Sequence, residues 1–443
     1  MSKTFRDWNL GQDFLLPPSV HDFVPAGHLS RFVVALVTEE LDLSAIMTSY
    51  KGEKGQPPYY PTMMAALLLY AYAVGIYSSR RIARACAERV DFMAIVALDA
   101  PDFRTISEFR RRHLKALAGL FLQVLKLCER AGLVTLGHVA LDGTKITANA
   151  SKHKAMSYEY MKKREAELQV EVDGWLNAAE AADAAEDEAF GPDKRGDELP
   201  DWVADKHARL VRIREAKAEL EAEAKAKAQA EQAAREKKDD KPGPGGKAAL
   251  PLEEPEPKAQ RNFTDPKSRI LKTKDGYIQG YNAQAAVDAD NQIIVAHTLS
   301  NNGSDQPHFA PLLNGIKTNL GRNPDEVSAD AGYCSAANLR TLSRRRIKGY
   351  IATGRQKHGA KSATGTRSAK PGSLLARMAI RLRRAGHRSR YRLRKQVVEP
   401  VFGQIKEAGG FRQFLLRGID KVTGEWAMIC TTHNLRKLAR AAR

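Results

Sequence analysis

LVTLGHVALDGTKITANAS, from Leu133 to Ser151, is the stretch at which the chain changes character. Upstream the apolar residues recur at helical spacing; here β-branched residues take over, and Val139 to Leu141 leads straight into Asp142 and Gly143. A buried strand is predicted, with a carboxylate inside it or at its end. Such a carboxylate is costly unless something pairs with it, which marks Asp142 as a candidate functional residue. The ordinary alternative is a turn aspartate, because Asp-Gly is a common turn pair.

The segment before this strand reads as helical. Phe32 to Leu43 carries a helical pattern, and Pro61 sits at a tolerated first-turn position ahead of TMMAALLLYAYAVGIY, apolar nearly all round and so the centre of a helical domain. RRIARACAERVDFMAIVAL follows. A third helix is predicted to open on Thr105 and Glu108, spaced as a capping box, with Arg110, Arg111, Arg112 and Lys115 in its first turns. Cations there oppose the helix dipole. Phosphate contact by a helix-turn-helix-like unit explains them, and so do simple solvated faces.

After the strand, residues 155 to 260 are Ala, Glu and Lys rich, which predicts a helical hairpin or coiled-coil projection bending near Gly191, Pro192 and Pro200. It runs out into DDKPGPGGKAALPLEEPEPKAQ, with the composition of a disordered linker. Strand signals then resume. Tyr281 to Val287 and Gln292 to Leu299 flank a DADN turn and read as a β-hairpin. Helix Phe309 to Leu320, a short strand ending near Asp330, helix SAANLRTLSRRR and strand KGYIATG follow. Arg355 to Lys370 reads as a basic loop, and Leu374 to Arg388 as a cationic helix.

The fold class is therefore α/β: a mixed sheet flanked by helices, with an N-terminal all-α domain and a helical insertion after the first core strand. Three early strands that meander and two later ones reached through helices match an RNase H-like order. The division is 1–130 helical domain, 131–154 first core strand, 155–260 insertion and linker, and 261–443 the rest of the core with basic C-terminal helices.

YRLRKQVVEPVFGQIK, Tyr391 to Lys406, closes the set. Leu393, Val397, Val401 and Ile405 recur every four residues as one packed helical face, with Glu399 among cations beside it. Pro400 directly after Glu399 implies either a kink or a helix that starts there, in which case Lys406 is the safer partner for Glu399. Asp142 on the first strand, Asp330 at the end of the fourth and Glu399 on the closing helix can be gathered by this topology. Three carboxylates need a cation to offset their repulsion, and hard oxygen donors suit Mg²⁺ or Mn²⁺. Two such ions would serve phosphodiester chemistry. Among rival acids, Asp275, Asp288 and Asp290 suit turns and Glu108 a cap; Glu407 lies near the closing Gly409 and Gly410. His433 and Asn434 suit packing or phosphate contact.

The chain has 443 residues, 43% of them hydrophobic, and a formal net charge of +19. The length allows a large core and the charge favours a polyanionic partner, nucleic acid first. No apolar run is long enough to span a bilayer, and MSKTFRDWNLGQDF lacks a signal-peptide core, so a cytoplasmic, nucleoid-associated protein is expected. Cys86, Cys128, Cys334 and Cys430 form no CxxC pair.

ALDGTKITANASKH, VSADAGY and YRLRKQVVEPVFGQIK, supported by NFTDPKSRI, DGYIQGYNAQAAVD, GFRQFLLRG and HNLRKL, together resemble the DDE transposases of bacterial insertion sequences that carry a Y-R-E-K signature. PDFRTISEFRRRH looks like part of their N-terminal DNA-binding domain. The resemblance implies an RNase H-like core using Mg²⁺, with Mn²⁺ as the alternative. It also implies binding to double-stranded DNA, the terminal inverted repeats and the target, by a homodimer on paired ends, with no membrane and no small-molecule substrate. Carried onto this sequence, Asp142, Asp330 and Glu399 become catalytic metal ligands. Lys406, with six residues between it and Glu399, becomes a DNA contact, as do Tyr391, Arg394, Lys395, Lys145, Arg110, Arg111 and Arg112. Lys395 stands at the family's usual arginine spacing and Arg394 one residue before it. A DNA-binding repressor or domesticated end-binder without catalysis, and a metal nuclease without strand transfer, stay open beside the transposase.

Overall fold

The computed structural model describes residues 19–50, 57–190, 201–236, 253–354, 364, 370–385 and 390–442. The N-terminal part is helical: α1 (Leu29–Ala35), α2 (Ser44–Met47), α3 (Pro61–Ala73), α4 (Ser79–Glu88), α5 (Val90–Val96) and α6 (Phe103–Arg130). Pro61 opens α3, and Met64 to Ala73 are all buried, as an all-round apolar helix requires. The predicted capping box gives way to an earlier start for α6. Asp102 caps it, its Oδ1 accepting from the backbone N–H of Arg104 and of Thr105 at 2.6 and 2.9 Å. An aspartate is at least as good a cap as threonine, and here it adds a full turn.

The strands are β1 (His138–Thr147), β2 (Ala155–Ser157), β3 (Gln260–Asn262), β4 (Arg269–Thr273), β5 (Gly276–Asp288), β6 (Ile294–Ser300), β7 (Glu326–Ala329) and β8 (Lys348–Ile351). Six of them, β1 and β4 to β8, form a mixed sheet, and β2 pairs with β3 apart from it. β1 pairs antiparallel with β5 and parallel with β7, which pairs parallel with β8. β4 and β6 share the outer edge of β5. The downstream helices are α9 (Phe309–Leu320), α10 (Ala336–Arg344), α11 (Leu374–Ala385), α12 (Leu393–Gly403) and α13 (Ile419–Ala441).

Between β1 and β4 stand α7 (Tyr158–Phe190) and α8 (Asp201–Glu236), antiparallel and closed at their base by the β2–β3 ladder. Their shared apolar seam is small: Tyr158, Met161, Leu168, Leu210, Ile213 and Leu220. Ion pairs such as Lys217 to Glu165 at 2.6 Å line it. The predicted bend at Gly191, Pro192 and Pro200, the predicted linker as far as residue 252 and most of the 355–370 loop lie outside the described residues; the end of the predicted linker, 253–260, is instead placed against α7, where Ala259 O and Pro257 O accept from Tyr158 N and Glu159 N at 2.7 and 3.2 Å.

One apolar cluster runs without a break from Val33 through the sheet to Leu438. α13 carries that continuity, packing on α3, α6 and β6. The helical part and the sheet therefore share a core. Close backbone approach secures the junction: Tyr77 Oη donates to Gly409 O at 2.7 Å, and a Cβ on Gly75, where φ is +80°, would stand 2.8 Å from that same oxygen.

Candidate active site

β1 carries Asp142 in mid-strand, opposite Ala285 of β5. The turn alternative for Asp-Gly is thereby excluded, since the ladder with β5 continues through Gly143 to Thr147. Gly143 is small for another reason. A Cβ there would lie 2.1 Å from Gln284 Nε2 and 2.8 Å from Asp305 Oδ1.

The parallel register of β1 and β7 pairs Leu141 with Ala329, and the next residues of the two strands are Asp142 and Asp330. Asp330 leaves the strand to cap the turn Ala331–Tyr333, its Oδ1 accepting from Gly332 N at 2.8 Å. α12 crosses β1 and supplies Glu399. Arg394, near the start of the same helix, links the elements. One guanidinium nitrogen lies 2.6 Å from Asp142 Oδ2 and the other 3.0 Å from Glu399 Oε1. Arg394 and Asp142 are each 14% exposed, whereas Glu399 is 46% exposed.

α12 does not start at Pro400. It begins at Leu393 and runs through the proline to Gly403, then widens into a π-type turn over Gln404–Ala408. The proline deprives Gln396 O of its helical donor, and Gln292 Nε2 donates to that oxygen at 3.0 Å instead. Glu399 therefore pairs with Arg394, and the expected pairing with Lys406 does not form: Lys406 Nζ donates to Lys145 O of β1 at 2.9 Å.

A fourth acid, Asp305, went unrecognised in the sequence. Its Oδ1 accepts from Asn282 Nδ2 and Gln284 Nε2, both at 2.8 Å. Gln284 in turn accepts from the buried Tyr333 hydroxyl. Asp305 lies in SNNGSDQPH, a stretch with ordinary loop composition. The signal that could have found it is on its partner strand, where Asn282 and Gln284 are fully buried amides among alanines.

Burial pushes the Asp142 carboxyl up to about 7; Arg394 opposes the shift, and Asp330 and Asp305 add to it. Asp330 is raised too, by burial and then by Asp305. Burial lowers Lys406. These acids carry the hard oxygen donors that suit Mg²⁺ or Mn²⁺. Among the described residues, however, no three Asp, Glu, His or Cys side chains converge closely enough to hold a metal ion in this arrangement. The cation standing between Asp142 and Glu399 is the Arg394 guanidinium.

Comparison with protein families gives two matches: the Transposase DDE domain over residues 252–435 and the Transposase domain (DUF772) over residues 18–112. The chain belongs to the insertion-sequence DDE transposases. No curated protein and no solved structure matches it. Asp330 and Glu399 of the transposase fall inside the DDE match. Asp142 lies in neither span, so its membership of the site stands on its register beside Asp330 and its bond to Arg394.

Of the transposase residues expected at DNA, Arg110 is a correction. It falls on the buried face of α6 with Ile106, Phe109 and His113. Its guanidinium donates to Tyr72 Oη, Tyr77 O and Ser79 Oγ at 3.0, 2.8 and 3.2 Å, tying α6 to the end of α3. Arg111 is exposed and paired with Glu108; Arg112 is exposed, lies over the Tyr50 ring and donates to Ser49 O. Lys395 is exposed, Lys145 is half-buried, and Tyr391 is half-buried against Arg394. His433 and Asn434 are packing residues: His433 Nε2 meets Gln292 O at 2.9 Å, and the Asn434 amide bonds both Ile294 N and Ile294 O at 2.8 Å. Among the described residues no helix is long and apolar enough to cross a membrane.

Proposed function

We propose that this transposase binds the terminal inverted repeats of its insertion sequence, cuts the DNA ends by phosphodiester hydrolysis and joins them to target DNA by transesterification. The observation that carries the reading is the placement of Asp142 and Asp330 side by side, each one residue past the last β1–β7 pair, with Glu399 drawn to Asp142 through Arg394. The strand order β6–β5–β1–β7–β8, antiparallel then parallel, supports an RNase H-like core. The domain division is the one read from the sequence, 1–130, 131–154, 155–260 and 261–443, with the shared core joining the first and last segments. Cytoplasmic, nucleoid-associated action as a homodimer on paired ends follows from the family resemblance.

Asp142, Asp330 and Glu399 would hold Mg²⁺ or Mn²⁺. When bound, such cations activate the attacking water or 3′-hydroxyl and stabilise the leaving oxygen. The chain's own residues do the remaining work. The β1–β7 ladder fixes two of the acids to rigid backbone, and Asn282 and Gln284 fix Asp305 beside them. Lys395, Lys145, Arg111 and Arg112 present cations to the phosphate backbone. Lys406 keeps further ammonium protons for a phosphate while bonded to Lys145 O.

The test is cleavage and strand transfer on DNA carrying the element's own ends, with Mg²⁺. Single D142N, D330N and E399Q variants, folded by circular dichroism, should retain end binding and lose both products. Full cleavage by any of them would remove that residue from the site. End binding by the wild type without cleavage would select a repressor, and cleavage without joined product a nuclease.

A further inference from the structure

Arg394 stands where the acids need a cation. Its planar fork reaches Asp142 on β1 and Glu399 on α12 at once, and it faces Asp330 electrostatically. A guanidinium does not lose its proton in a protein, so the charge it brings is permanent. Arg394 and Asp142 are shielded from solvent, unlike the exposed ion pairs that contribute little. In this arrangement the two carboxylates are aimed at Arg394, and no three acids converge on a common point among the described residues.

We propose that Arg394 is the resident counter-ion of the acid site in the DNA-free chain, and that it must release Asp142 and Glu399 before they can take a divalent cation. This rests on the assignment of those two acids as metal ligands. A DNA phosphate arriving at the site offers both arms of the Arg394 fork one bidentate partner in place of two carboxylates. Substrate arrival and the freeing of the acids then become one event, and the free chain is held from premature metal loading.

The experiment measures Mn²⁺ binding to the full chain without DNA, by calorimetry and by the paramagnetic resonance of free Mn²⁺. R394A should bind Mn²⁺ about ten-fold or more tightly than the wild type. R394K, which keeps a charge but not the fork, should fall between them, and it carries the test should R394A fail to fold. The gain should vanish in R394A/D142N and R394K/D142N. Equal or weaker Mn²⁺ affinity in the folded Arg394 variants, with binding still abolished by D142N, overturns the counter-ion role and leaves the acid site standing. A gain in affinity that D142N and E399Q do not touch overturns both.

Discussion

Gln292 holds the carbonyl of Gln396 that Pro400 leaves without a helical donor. The same Gln292 side chain accepts from Lys437 and Gln404 at 2.9 and 3.2 Å, so one residue of the β5–β6 turn steadies α12, the turn after it and α13. Gln292 has φ of +59°, a conformation asparagine tolerates and alanine resists. Gln292→Asn should therefore keep the turn, lose the reach and lower stability by about 1 kcal/mol. In a Pro400→Ala background the restored N–H serves Gln396, and the cost of Gln292→Asn should shrink. A double-mutant cycle on denaturation midpoints reads the coupling. Strict additivity would show that the Gln292 bond does not substitute for the one lost at Pro400.

Gly143→Ala tests whether the glycine is there for clearance. The added Cβ meets the Gln284 amide at 2.1 Å and Asp305 at 2.8 Å, and neither neighbour is free to move, since Gln284 also binds Asn282 and Tyr333. Overpacking of this kind costs about 1–3 kcal/mol. The melting temperature should fall, and cleavage should fall further than the loss of folded protein explains, because Asp305 is pushed from its place beside Asp142. Unchanged melting and cleavage would mean that the space is not used as described.

Much of this arrangement was legible in the sequence because strand, turn and helix signals there are local. The strand around Val139 to Leu141, the hairpin DADN turn and the helix from Phe309 to Leu320 depend on neighbouring residues, and they lie where their patterns put them. Asp142 and Asp330 were conspicuous because an acid beside a buried apolar run is expensive. Asp305 was not conspicuous, since its environment is built by Asn282 and Gln284, more than twenty residues away. Arg110 looks like a DNA contact in the sequence for the same reason. Its partners Tyr72, Tyr77 and Ser79 sit on another helix end, and no periodicity reports that an arginine has found three acceptors.

Asp305→Asn should change the proton affinity of its neighbours. The Asp305 charge raises both Asp330 and Asp142, which burial already raises, Asp142 to about 7. Removing that charge favours their ionised forms, so the acid limb of Mn²⁺ binding should move to lower pH. Affinity measured from pH 5.5 to 8, buffered to constant ionic strength, reads the shift; these bounds are set around the value of about 7 for Asp142. A limb that stays in place or moves upward would mean that Asp305 is electrostatically silent at the site.

Glu425 offers a stability prediction away from the acids. It is fully buried on α13, and its carboxylate accepts from Leu415 N at 3.0 Å and Leu416 N at 3.1 Å, pinning the GFRQFLLRG loop against the end of β1. Burial nevertheless pushes it up from 4.5 to about 7, with those N–H groups and Arg110 pulling the other way. The native state then binds more protons than the unfolded chain between those two values. Stability must fall as pH rises through that window and level off above it, by an amount on the order of 3 kcal/mol for this group. Glu425→Gln keeps an oxygen for one backbone donor and cannot ionise, so the difference in unfolding free energy between the two proteins should slope across pH 4.5 to 7 and be flat beyond. A difference independent of pH would show that Glu425 is already ionised in the folded chain, held so by its two backbone donors and Arg110.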